Sequence, residues 1–284
     1  MRMQRVQESD NPRFMRMHTI HKDQQQGPRA DGAGHGGTRY GIIDALRGFA
    51  IVNMVAFHIC YDIFEIMGQY PRWSSLSWVI VWQQCIAGCF IAVSGFSWTW
   101  GSRHALRRGL ELNALGLLIT AVTLIMLPES PVWFGVLNFL GCATLLLLAM
   151  EPMVKRIPPS VGVFASLVLF FIFRRVQYGE LWLGATTIKL PTSWYQYPLL
   201  TPFGFQHAGF ISSDYVPILP WIFLFICGYC LSRWVIGRSL SQRKALVPQI
   251  PVLSAIGRHS LLIYMVHQPL CMGLVWIVFA LFHV

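Results

Sequence analysis

Four ionisable residues, Asp44, Arg47, His58 and Asp62, fall inside one apolar stretch spanning 42–65. Placing such a group in a bilayer costs on the order of 2.5–3.5 kcal/mol on insertion scales, so each is a functional candidate by default. On a helix turning about 100° per residue, Asp44 and Asp62, eighteen residues apart, share one azimuth, and Arg47 and His58, eleven apart, are about 20° from alignment. The four form one stripe, and Asn53 falls on the opposite side. At a rise of about 1.5 Å per residue, His58 lies roughly 16 Å beyond Arg47. Asp62, one turn after His58, can accept a hydrogen bond from one imidazole nitrogen and leave the other free as a base. Arg47 can bind an anion. The same spacing also suits a plainer arrangement, with Asp44 paired to Arg47 and His58 a satisfied core histidine.

Such a stripe needs a membrane scaffold, and the composition supplies one. The chain has 284 residues, 55% hydrophobic and 12% charged, with a mean hydropathy of +0.51. Soluble chains carry about 25% charged residues, so an ordinary globular enzyme is excluded. Apolar runs at 42–65, 76–99, 110–127, 132–153, 160–173, 215–234 and 255–282 predict an all-α polytopic bundle of seven transmembrane helices. The fifth run is short, and 174–214 has room for a re-entrant or interfacial piece, which allows an eighth.

Residues 1–39 are rich in Gln, Gly and Arg and contain no apolar run, which predicts a disordered basic tail ahead of one transmembrane domain, 40–284. With the tail in the cytoplasm, seventeen of the 22 Lys and Arg residues lie on that side and four on the other. The positive-inside rule then places the N-terminus in and the C-terminus out. The net charge of +10 is distributed in this way rather than on one face, so it does not point to nucleic acid.

Other groups are less specific. The loop 174–214 carries Trp182, Trp194, Tyr195, Tyr197, Phe203 and Phe205, which suit an interfacial aromatic belt or a lid over an acceptor. All seven cysteines lie in apolar runs and read as small buried hydrophobes, including the Cys227 and Cys230 pair, so no metal is expected. His267, with Tyr264 one turn before it, either faces a cavity or bonds a neighbouring helix. Gln83, Gln84, Glu111 and Trp221 have the same double reading.

The segment Ile43-Asp44-Ala45-Leu46-Arg47-Gly48-Phe49-Ala50 and its continuation to His58 resembles the opening helix of the transmembrane acyltransferases related to heparan-α-glucosaminide N-acetyltransferase. An Arg followed by His at this distance is also similar to the enzymes that O-acetylate bacterial surface glycans. Four further stretches agree in order: Phe90 to Ser97, Phe134 to Gly141, Asp214 to Trp221, and Gly257 to Pro269. The resemblance covers nearly everything after residue 39.

It implies transfer of an acetyl or other acyl group from coenzyme A on the cytoplasmic side to a sugar hydroxyl or amine presented outside. His58 is then expected as general base with Asp62 orienting it. Arg47 with Asp44, and Arg103, Arg107 and Arg258 at the cytoplasmic ends, are expected to meet the coenzyme A phosphates. Asn138 stands where related chains often have His, and with His267 it is an accessory catalytic candidate. Asp214, Tyr215 and Trp221 are expected on the acceptor side. The resemblance further suggests a bacterial inner-membrane enzyme modifying an envelope polymer or glycolipid, with a homodimer as the family precedent. Two other classes fare worse. A retinal protein lacks its intramembrane lysine; a haem protein would use two histidines at matching depth on facing helices, and His58 and His267, both toward the outer half, keep that minor alternative open. A transporter or flippase using the stripe as a proton or anion path is the serious rival, though no inverted repeat is evident.

Overall fold

The computed structural model describes residues 41–237 and 250–282. The expected tail, 1–39, and the basic residues Arg238, Arg243 and Lys244 lie outside them. In lipid every backbone polar group must be satisfied within the protein, which leaves the helix as the means of crossing for chains of this composition. Helix α1 (Gly41–Tyr61) widens into a π-helical turn over Asp62–Ile66. It is followed by α2 (Ser77–Phe96), α3 (Ala105–Met126), α4 (Val136–Val154), α5 (Pro159–Phe173), α6 (Ile218–Ile236), α7 (Pro251–Arg258) and α8 (Ser260–Phe282). Among the described residues, seven helical segments are long and apolar enough to cross a membrane. The protein is an all-α integral membrane protein, as expected.

Two boundaries differ from the sequence reading. The third crossing, read from 110 in the sequence, begins at Trp98, so Arg103 sits on a 3-10 turn and Arg107 on the first turn of α3. Long apolar stems let arginines continue a helix through the interface. The last apolar run breaks at His259 into α7 and α8. Within 174–214 no eighth membrane helix forms among the described residues. That segment makes a hairpin, β1 (Glu180–Leu183) pairing antiparallel with β2 (Thr186–Lys189), and then two 3-10 turns.

Helix crossings are made backbone to backbone at glycines. A Cβ on Gly257 of α7 would run into the Asp44 carbonyl oxygen, and one on Gly48 of α1 into that of Leu253. Between α2 and α6, a Cβ on Gly95 would meet the Phe225 carbonyl and one on Gly228 that of Ala92. Lipid tails are as apolar as leucine, so close approach of this kind does the holding that hydrophobic burial does in water. At the end where α1 begins, Glu151 accepts from Trp98 Nε1 at 3.0 Å, Tyr229 OH at 3.3 Å and Lys155 Nζ at 3.2 Å. Arg233 caps the last carbonyls of α4, reaching Val154 and Lys155 at 2.9 Å each. At the other end Glu65 accepts from Ser74 N at 2.8 Å and so folds the loop after the π turn back on itself.

Gly228→Ala and Gly257→Ala should each cost about 1–3 kcal/mol, the usual penalty of overpacking. Gly273→Ala, where an added Cβ meets nothing within 4 Å, should be neutral. Denaturant titration of the three variants in detergent checks the contrast.

Candidate active site

The upper part of the stripe is met by α8. The His58 and His267 rings lie 4.7 Å apart between centroids, inclined at 64°. Asp62 is fully buried, and one of its oxygens accepts from Gln268 Nε2 at 3.0 Å. The expected hydrogen bond from His58 to Asp62 is replaced: α8 brings adjacent residues to the two, His267 to the imidazole and Gln268 to the carboxylate. A buried carboxylate requires a donor, and the amide is the one this packing supplies. His267 Nδ1 is 2.6 Å from the Tyr264 carbonyl oxygen. The Tyr264 hydroxyl donates to Asp214 Oδ2 at 3.0 Å, which also accepts from the Val136 amide at 3.3 Å.

Polar atoms in this cluster are left unpaired. His58 Nδ1, Asp62 Oδ2, His267 Nε2 and Gln268 Oε1 are all buried without a hydrogen-bond partner. Each such atom costs about 1–3 kcal/mol, so four of them contributed by one pair of helices call for an occupant that bonds them.

The lower part of the stripe has different neighbours. Arg47 pairs with Asp44 at 3.3 Å and donates to Ser97 Oγ at the end of α2. Arg103, Arg107 and Arg258 are exposed near the same end, Arg107 in a surface pair with Glu111 at 2.7 Å. Positive charge is thus gathered at this end, with Arg103 and Arg258 on the rim and Arg47 inside. Asn138 is buried between α4 and α3, against Gly116, with its amide 3.5 Å from the Asn113 carbonyl oxygen. It makes no hydrogen bond to either histidine.

Asp214, Tyr215 and Trp221 come together, lining one cleft of about 110 Å³ with Gln83, Gln84, Phe170, Arg174 and Gln177. Trp221 packs on Phe170 at 5.5 Å, and the Arg174 guanidinium lies over that same ring. Burial pushes the Tyr215 phenol up, so it stays a donor, and its hydroxyl bonds the Thr201 carbonyl at 2.5 Å. Burial also pushes the Asp214 carboxyl above the usual range, against the opposing bonds from Tyr264 and Val136. Gln268, Ser97, Arg174 and Gln177 escaped the sequence reading. Gln268 carried a legible signal, an amide within an apolar run beside His267.

A carboxyl whose pKa is raised by folding stabilises the protein at low pH and loses that contribution as pH rises through the folded value. Asp214→Asn keeps an acceptor for Tyr264 and Val136 and cannot ionise, so at about pH 8 it should melt at or above wild type, the gap closing toward about pH 4. Asp214→Ala strands two donors and should be less stable at either pH by about 1–3 kcal/mol. Melting curves of both variants against pH measure this.

The family model described as heparan-alpha-glucosaminide N-acetyltransferase, catalytic, matches residues 39–269. No curated protein and no solved structure gives a significant match. The matched range runs from the start of α1 into α8 and so contains His58, Asp62, the cleft residues, His267 and Gln268. The chain belongs to the heparan-alpha-glucosaminide N-acetyltransferase catalytic-domain family and is a membrane-embedded enzyme of the acetyltransferase class.

Proposed function

We propose that the protein moves an acetyl group from cytoplasmic acetyl-coenzyme A to a hydroxyl or amine of a sugar-type acceptor on the outer side of a bacterial inner membrane, with its N-terminus in the cytoplasm. The observation that carries this reading is the set of four unpartnered buried polar atoms between α1 and α8. A scaffold that holds two imidazoles, a carboxylate and an amide unsatisfied at membrane depth pays for them only if a reacting group completes their bonds.

In this reading His58 removes the acceptor's proton as the acceptor oxygen or nitrogen attacks the thioester carbonyl carbon. Asp62 acts on the site through Gln268, holding α8 in place. Arg47, steadied by Asp44 and Ser97, and the exposed Arg103 and Arg258 attract the donor's phosphates, since guanidinium groups match phosphate oxygens in pairs. The cleft supports a sugar acceptor: Trp221, Tyr215 and Phe170 supply aromatic surface, and Gln83, Gln84, Gln177 and Arg174 supply donors for hydroxyl and anionic groups.

His58→Ala should lower acetyl transfer by about 10²–10⁴-fold while the protein still folds. Arg47→Ala should raise KM for acetyl-coenzyme A about tenfold and leave kcat near wild type, the loss expected of one charge-assisted phosphate contact. Binding and slow hydrolysis of acetyl-coenzyme A by the detergent-purified protein measure both. Saturable binding with His58-dependent turnover supports the enzyme reading. No binding at about millimolar donor, an affinity of only about 4 kcal/mol, would put the transporter first.

A further inference from the structure

A backbone carbonyl only accepts, so the 2.6 Å contact between His267 Nδ1 and the Tyr264 oxygen places the proton on Nδ1. In the neutral ring the lone pair is then on Nε2. That nitrogen is buried and unpartnered, and so is Nδ1 of His58, whose ring is 4.7 Å away. The two nitrogens are not hydrogen-bonded to each other as the rings stand; once the acceptor enters, a turn of either ring pairs them in one arrangement, with His58 Nδ1 donating and His267 Nε2 accepting. The remaining His58 nitrogen, Nε2, is thereby left as the base.

We propose that His267 is the positioning residue for His58 and the second proton acceptor of the transfer, the role that sequence spacing assigns to Asp62. The inference rests on the acyltransferase reading above and adds which nitrogens carry the protons. The groups facing the pair are the Tyr264 carbonyl on α8 itself, Asp214 before α6 through the Tyr264 hydroxyl, and Asp62 on α1 through Gln268. Asp214 is the carboxyl that faces His267 electrostatically, as the orienting acid does in a hydrolytic triad.

The acceptor oxygen or nitrogen bonds the thioester carbonyl carbon, and its proton passes to His58 Nε2. The proton on His58 Nδ1 passes to His267 Nε2, which leaves the positive charge on the ring nearer Asp214. As the carbon–sulfur bond breaks, the thiolate takes the proton from His58 Nε2, and His267 returns its own to His58 Nδ1. Both rings end neutral and in their starting tautomers.

The test is steady-state hydrolysis of acetyl-coenzyme A, with water standing in as the acceptor, by the full-length protein in detergent, for wild type, His267→Ala and His267→Gln, in mixtures of H2O and D2O. His267→Ala should lower kcat about 10²-fold with KM for acetyl-coenzyme A little changed. His267→Gln, whose side-chain oxygen can accept from His58 Nδ1, should recover about tenfold of that loss. The wild-type rate should bow with deuterium content, because two protons move together, and the Gln variant should give a straight line. A straight line in wild type, or wild-type kcat in His267→Ala, overturns the inference while His58-dependent turnover keeps the acyltransferase reading intact. Absence of turnover in wild type overturns that reading and this inference with it.

Discussion

Asp62 has no exposed surface, and the donor that meets it, Gln268, lies 206 residues later on the last helix. A carboxylate in that position is tolerated only where the packing brings a hydrogen bond to it, so the contact sets the register of α8 on α1. With Gln268 on Asp62, the preceding residue brings its imidazole against His58. One turn earlier, Tyr264 comes within reach of Asp214. A single buried carboxylate thus aligns residues from the first crossing, the last crossing and the segment before α6.

The backbone contacts make this alignment possible. Gly48 and Gly257 let α7 lie directly on α1, where Ser254 also donates to the Gly41 carbonyl at 3.1 Å, and α8 follows from α7 after one residue. Gly95 and Gly228 join α2 to α6 in the same manner, and that second pair carries Ser97 at one end and the cleft residues Gln83 and Trp221 along its length. Close packing and interhelical hydrogen bonds carry this load because burial against lipid gives no comparable drive. The stripe on α1 is consequently divided between partners. Asp44 and Arg47 belong with Ser97, and His58 and Asp62 belong with α8. That division suits a site with separate donor and acceptor ends better than one continuous path.

Much of this organisation was legible in the residues. Seven crossings follow from the length of the apolar runs, and the stripe stands out because charge inside such runs is costly and rare. The grouping of Asp214, Tyr215 and Trp221 came from motif order, and the cleft unites them. Less legible were the points where a crossing begins or breaks. The third crossing starts well before 110 because the apolar stems of Arg103 and Arg107 let the chain stay helical through the interface that their charges mark. The aromatic stretch 174–214 carried too little periodicity to reveal a hairpin with 3-10 turns.

Helical spacing determines which residues share a face of their own helix, so the alignment of Asp44, Arg47, His58 and Asp62 was available from the sequence alone. The same spacing carries no information about which other helix covers that face. Only the tertiary structure decided that Asp62 bonds Gln268 rather than His58, that His267 has its Nδ1 proton held by the Tyr264 carbonyl, and that Asn138 turns to α3. Those outcomes depend on close approach of backbones at glycines far apart in the chain, a constraint that appears only when the helices are packed together.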